Sequence, residues 1–121
     1  MVAPRHFGIL VPSTNTTCEI EFCRLPPELQ VHIARLGKGG STPFSPSLDS
    51  DISRIDRPDI DALMVPGGNF PTMDWIAPWE RQFGKPVITT NQATLWGVLR
   101  AMAIDTPLAG KGRLLEQMPV G

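Results

Sequence analysis

Residues 6–36, HFGILVPSTNTTCEIEFCRLPPELQVHIARL, contain the pattern that decides the fold class. Residues 6–12 form a short apolar run that ends at a proline, which is typical of a buried parallel strand. Residues 15–25 are followed by two prolines that stop a helix, so they predict a helix of about three turns. Residues 31–36 alternate β-branched and other side chains, which indicates a second strand. Together these segments predict a β-α-β unit.

Two further strands are predicted at residues 60–65 and 86–90, where short apolar runs lie between turn-forming residues. Strands that alternate with helices along a chain favour a parallel sheet. The predicted fold class is therefore α/β, a Rossmann-like parallel sheet of about four strands with flanking helices. We expect a single domain over residues 1–121, with a linker-like junction at residues 37–50, which are rich in Gly, Ser and Pro.

Three sequence signals predict how the helices begin and pack. Thr16 and Glu19 have the spacing of a capping box at the start of the first helix. Residues 72–83 predict a helix in which Pro78 either causes a kink or lies in the first turn of a second short helix. Asn91 is the predicted N-cap of the clearest helix. That helix carries four apolar side chains at helical spacing on one face, namely Leu95, Val98, Leu99 and Met102.

Composition and charge exclude several classes of protein. In the 121 residues, 11 Lys and Arg against 12 Asp and Glu give a net charge of −1, which excludes a broad basic surface for nucleic acid or an anionic membrane. No apolar run approaches the roughly 18 residues of a membrane span, and the N-terminus lacks a signal-peptide pattern, so we expect a cytoplasmic protein. Cys18 and Cys23 have the spacing of neither a zinc pair nor a disulfide framework, so we expect buried thiols and no metal.

Three loops that each follow a predicted strand and begin a helix are the candidate binding region. They lie at residues 12–16, 66–69 and 89–92 and contain Asn, Gly or hydroxyl side chains. Ligands of open parallel sheets bind outside the carboxyl ends of the strands, and helix N-termini there favour a small carboxylate or phosphate. The alternative is that these residues act only as caps and turn formers. The candidate residues are Ser13, Thr14, Asn15, Thr16, Gly67, Gly68, Asn69 and Asn91.

No residue stands out as a catalytic base or nucleophile. The glycine pattern of dinucleotide-binding folds and the Walker loop are both absent from the sequence. His6 and His32 lie in or beside predicted strands, where a hydrogen-bonded structural histidine is typical. Cys18 and Cys23 lie on the first helix, where packing in the core is the simpler interpretation. The sequence therefore leaves the catalytic residues unassigned.

Several longer motifs, in order along the chain, resemble one protein family. They are GILVPSTNTTCEIEFCRLPP with VHIARL behind it, DRPDIDALMVPGGNFPTMDWIAPWERQFGKPVITTNQATLWGVLRAM, and GKGRLLE. Over residues 8–36 and 52–115 the chain resembles the aspartate/glutamate racemase superfamily, in the branch of maleate isomerase and arylmalonate decarboxylase. The resemblance implies a longer chain of two α/β lobes around a cleft. It also implies chemistry by cysteine thiolates without a metal or an organic cofactor.

The resemblance assigns roles to particular positions. Asn15 corresponds to a ligand of the substrate carboxylate, with Ser13, Thr14 and Thr16 as helpers in the same loop, and Asn91 corresponds to a later polar contact. After the third strand, Gly67 stands where the family has a cysteine, whereas Asn69 is retained. The segment that carries the other family cysteine has no counterpart after Leu36. Both expected nucleophiles are therefore missing.

These features together predict a maleate isomerase-like or Asp/Glu racemase-like protein that acts on or binds a small carboxylate or dicarboxylate, with impaired activity. The alternatives are a non-catalytic carboxylate-binding module and an inactive fragment of such an enzyme. We also expect a homo-oligomer or marginal folding. A four-stranded parallel sheet needs helices on both faces, and only about three helices are predicted.

Overall fold

The computed structural model describes residues 4–11, 16–35, 48–67 and 72–116, and these contain four strands and five helices. The strands are β1 (Arg5–Val11), β2 (Leu29–Arg35), β3 (Ala62–Val65) and β4 (Val87–Thr89). The helices are α1 (Thr17–Phe22), α2 (Leu48–Ser53), α3 (Ile76–Phe83), α4 (Thr90–Ala101) and α5 (Arg113–Glu116). No helix in these ranges is long and apolar enough to cross a membrane.

The four strands form one parallel sheet in the order β2-β1-β3-β4. Ile9 of β1 lies opposite Ile33 of β2 and Met64 of β3, and Val65 of β3 lies opposite Thr89 of β4. The predicted α/β class and the four-stranded parallel sheet are confirmed. Because all four strands are parallel, their carboxyl ends lie at the same edge of the sheet, where ligands of such sheets bind.

The two faces of the sheet are covered unequally. Helices α2 and α3 cover one face, where the core consists of Leu10, Ile52, Ile55, Ile60, Leu63, Val65, Ile76, Trp79 and Val87. On the other face α1 packs against β1, and the described residues that are buried there are Ile9, Val11 and Cys18. Phe7, Phe22, Val31, Ile33 and Met64 surround that smaller cluster and are only partly buried. Most of the apolar burial that stabilises the described fold therefore lies on the α2 and α3 side.

The capping box predicted at the start of α1 is wrong. Thr16 is the N-cap, but its backbone is already helical and its side chain makes no capping hydrogen bond. The Glu19 carboxylate instead accepts a hydrogen bond from Arg35 of β2 at 2.8 Å. An ion pair with the neighbouring strand has replaced the local bond that the spacing predicted.

The predicted N-cap of α4 is also wrong. The cap is Thr89, which is still extended as the last residue of β4, and the helix begins at Thr90. The side-chain oxygen of Gln92 accepts a hydrogen bond from the backbone N–H of Thr89 at 3.0 Å. Asn91 is therefore the second residue of the helix. The predicted apolar face of α4 is not buried throughout, since Val98 is 48 % exposed and Met102 is 57 % exposed.

The regions around Pro78 and in the C-terminal tail agree with the sequence in part. Pro78 is the third residue of α3 and lies in its first turn, as the second of the two predicted alternatives states. At that position the missing N–H of proline costs no intrahelical hydrogen bond. The tail, predicted to be a turn and a loose end, contains the short helix α5, whose Leu115 is fully buried. Of the predicted junction, residues 37–47 lie outside the described residues, and α2 begins at Leu48.

Candidate functional site

The carboxyl ends of β3 and β4 bring two of the predicted loops into contact. Val65 and Thr89, the last residues of these strands, are register partners in the sheet. Two residues further on, the backbone N–H of Gly67 donates a hydrogen bond of 2.8 Å to the Oγ1 of Thr90. This hydrogen bond therefore joins the start of the loop after β3 directly to the first turn of α4. We call this contact the joined loops.

The conformation of Gly67 bears on what could stand at this position. Its φ is +135°, a backbone region that side chains rarely adopt. By resemblance, a family cysteine corresponds to this position, and a cysteine here would be strained in the present loop conformation. The loop thus has a shape that suits glycine and that places a backbone N–H, rather than a thiol, beside Thr90.

The start of α4 is fixed by side chains on its own first turn. Gln92 is fully buried, and its amide nitrogen donates to the backbone oxygen of Lys111 at 3.2 Å. The Oγ1 of Thr94 donates to the carbonyl of Thr90 at 2.8 Å. Asn91 lies between Thr90 and Gln92, is exposed, and is the second residue of the helix. The helix N-terminus there carries a partial positive charge that favours an anion.

The other predicted site residues are distributed as follows. Thr16 is described and exposed at the start of α1, beyond the carboxyl end of β1, which is the strand next to β3. Five further candidates lie outside the described residues, namely Ser13, Thr14, Asn15, Gly68 and Asn69. The structure thus brings Gly67 and the first turn of α4 together, and the rest of the constellation stays a prediction.

The two cysteines lie in different surroundings. Cys18 is 7 % exposed and packs with Ile9 and Val11 against the sheet, as the core interpretation predicts. Burial raises the pKa of the Cys18 thiol, and the carboxylates of Glu21 and Glu19 raise it further. Cys23 is exposed at the end of α1, so the prediction that it is buried is wrong. A buried thiol whose pKa is raised is the opposite of a nucleophilic cysteine.

Two features beside the candidate site have no predicted role. Glu80 of α3 is buried, and its two oxygens accept hydrogen bonds of 2.9 Å from the backbone N–H groups of Val87 and Arg113. Lys111 forms an ion pair of 3.3 Å with Asp74. Glu80 follows Ile76 by four residues, so it lies on the buried face of α3. A glutamate four residues after a buried isoleucine on one helix is the sequence signal that could have predicted a buried hydrogen-bond acceptor here.

Comparison with known proteins identifies the family. The family model for arylmalonate decarboxylase matches residues 49–115, more than half of the chain. The chain belongs to the arylmalonate decarboxylase family. Among curated proteins, the maleate isomerase of Nocardia farcinica (strain IFM 10152) is 31 % identical to this family member over 64 residues, which make up 52 % of the chain and 26 % of the isomerase.

Solved structures share the fold of this arylmalonate decarboxylase family member. A cysteine-to-alanine variant of the maleate isomerase Iso from Pseudomonas putida S16, crystallised with maleate, has a TM-score of 0.75 at 24 % identity and covers 93 % of this chain and 48 % of its own. A cysteine-to-serine mutant of the Nocardia farcinica maleate cis-trans isomerase, with a covalently bound succinylcysteine intermediate, has a TM-score of 0.68 at 21 % identity and corresponding coverages of 93 % and 49 %. The chain therefore spans about half the length of these isomerases.

Proposed function

We propose that this chain binds a small dicarboxylate at the carboxyl edge of its sheet and isomerises it slowly or not at all. The observation that carries the proposal is the hydrogen bond from the Gly67 N–H to Thr90, which joins the loop after β3 to the first turn of α4. Family membership supports a ligand of this class, since one solved isomerase of the same fold was crystallised with maleate. A ligand carboxylate would accept hydrogen bonds from Asn91, from the N-terminus of α4 and from the predicted Asn15 loop.

The state of the thiols supports binding without efficient turnover. The Nocardia farcinica isomerase mutant carries a covalently bound succinylcysteine intermediate, in which a cysteine sulfur is joined to a dicarboxylate carbon. In this chain Cys18 is buried with a raised pKa, and the loop after β3 carries Gly67 at a φ of +135°. Addition of a thiolate to a carbon–carbon double bond needs an ionised and accessible sulfur. Neither described cysteine is placed at the joined loops.

The test is a titration of the protein with maleate, with aspartate and phenylmalonate as further ligands, by calorimetry and by two-dimensional NMR. Maleate should bind saturably and should shift the amide signals of Gly67 and of the first turn of α4. Thr90→Val removes the hydroxyl acceptor and should weaken maleate binding about fivefold, the effect of one hydrogen bond of about 1 kcal/mol. Asn91→Ala and Asn15→Ala should each weaken it by at least as much.

Thr106→Val is the matched control, because Thr106 is exposed on the loop that follows α4. It should bind maleate like the wild-type chain. Unchanged binding by the Thr90→Val variant would refute the role of the joined loops, and unchanged binding by Asn15→Ala would refute the assignment of that loop. Absence of maleate binding would instead favour the inactive fragment. Rapid formation of fumarate, followed in the same tubes, would contradict slow or absent turnover.

A further inference from the structure

A cavity lies beside β2, the edge strand of the sheet, away from the joined loops. It has a volume of about 280 Å³ and is lined by His32, Ile33, Ala34, Arg54, Ile55 and Arg57. Its polar residues are two arginines and one histidine, and its apolar residues come from β2 and from the turn after α2. Since β2 and β4 are separated by two strands, this cavity is roughly 14 Å across the sheet from the start of α4.

His32 lies in a chain of hydrogen bonds that runs from Arg57 to His6. Arg57 Nη2 lies 3.1 Å from His32 Nδ1, and because a guanidinium can only donate, Nδ1 is the acceptor in this contact. His32 Nε2 lies 2.9 Å from His6 Nδ1. The guanidinium of Arg57 supplies a positive charge beside the cavity.

The carboxylates near these two arginines bind them from outside the cavity. Asp51 contacts Arg54 at 2.9 Å, and Asp59 contacts Arg57 at 3.4 Å; among the described residues, no carboxylate lines the cavity. Both members of the Arg57 pair are more than half exposed, so water weakens their attraction. Each of these contacts uses one nitrogen of a guanidinium that has five N–H donors. Donors remain on both arginines for a further acceptor.

We infer that this cavity binds a small organic anion, whose carboxylate or phosphate group lies against Arg54 and Arg57 and whose apolar part lies on Ala34 and Ile55, which share one face of the sheet. Guanidinium groups suit such a ligand because their planar donors match two oxygens at once. The volume is at the lower end of that of ligand pockets, which limits the ligand to a small molecule. The two apolar side chains select against a bare inorganic ion.

The experiment uses benzoate as the probe, followed by NMR of the isotopically labelled full chain. Benzoate should bind saturably and should shift the backbone amides of His32, Ile33 and Ala34. Arg57→Gln keeps a hydrogen-bond donor for His32 but removes the charge, and should weaken benzoate binding about tenfold. Arg24→Gln is the control, because Arg24 is an exposed arginine after α1, and it should leave the affinity unchanged.

Further ligands separate the two parts of the inference. Acetate and inorganic phosphate lack the apolar part and should bind more weakly than benzoate, whereas benzyl alcohol lacks the charge and should not bind. Equal affinity of the Arg57→Gln variant and the wild-type chain would overturn the inference. So would benzoate shifts confined to Gly67 and the start of α4, or binding of benzyl alcohol as tight as that of benzoate.

Discussion

At the scale of single residues, Glu80 of α3 is bonded to two other elements. Its carboxylate accepts from the N–H of Val87 in β4 and from the N–H of Arg113 in α5. We expect Glu80→Ala to leave both N–H groups unpaired and to lower the free energy of unfolding by about 2 to 4 kcal/mol. Urea denaturation measures this. Glu28→Ala, at an exposed glutamate, should change it by less than about 0.5 kcal/mol, and a similar loss in both variants would contradict the role of Glu80.

The two cysteines should differ in reactivity at the same scale. Iodoacetamide should alkylate the exposed Cys23 in the folded protein at least about tenfold faster than Cys18, which is buried and whose pKa is raised. Because the raised pKa belongs to the folded state, folding favours the neutral thiol. The contribution of the neutral Cys18 thiol to stability is complete below the pKa that this thiol has in the unfolded chain. It is lost as the pH rises from that value through the higher pKa of the folded state. Both cysteines lie in the tryptic peptide of residues 6–24, so tandem mass spectrometry of its fragments reports the two rates separately. Equal rates in the native protein would contradict the buried position of Cys18.

At the scale of elements, the docking of α5 depends on Gly112. Its φ is +94°, and a Cβ at this position would lie 2.8 Å from the Gln92 amide nitrogen and would overlap the side chain of Ile76. Gly112→Ala should therefore lower the free energy of unfolding by about 2 kcal/mol or more. Gly97→Ala is the matched control, because Gly97 lies in α4 with nothing within 4 Å of its Cβ position. That change should stabilise the chain by about 0.5 to 1 kcal/mol. Thermal denaturation of both variants tests the contrast.

The sequence predicts the elements well and their ends less well, for a physical reason. Apolar runs and prolines depend on local chemistry, so β1, β2, β3 and β4 were all located from them. The cap of α1 is mispredicted because a tertiary partner, Arg35, binds Glu19. The cap of α4 is mispredicted by two residues because Thr89, still extended at the end of β4, forms a local capping box with Gln92. The contact between Gly67 and Thr90 follows from the order of strands, which a single sequence indicates only through the β-α-β pattern.

At the scale of the whole molecule, the uneven covering of the sheet limits its stability as a single copy. Within the described ranges, α1 is the helix packed on the face that holds Ile9 and Val11, and Phe7, Val31 and Ile33 around them stay partly accessible. The sequence analysis expects about three helices, whereas the described residues contain five, so the surface left on this face reflects where the helices lie and not how few there are. The structure adds where further apolar surface lies: Ile20, Leu29, Val98 and Met102 are large exposed side chains.

This exposed surface leads to the prediction that the chain self-associates. Val98 of α4 and Met102, the C-cap of that helix, are four residues apart and both exposed, so they offer apolar surface that a second copy can cover. Light scattering after size exclusion should show a mass that rises with protein concentration, and Val98→Lys with Met102→Lys should shift it toward the monomer. Thr106→Lys with Ala109→Lys adds the same charge on an exposed loop and should not. A wild-type chain that is monomeric at every concentration and melts cooperatively would show that the described core is sufficient, because no second copy would then be needed to cover these residues.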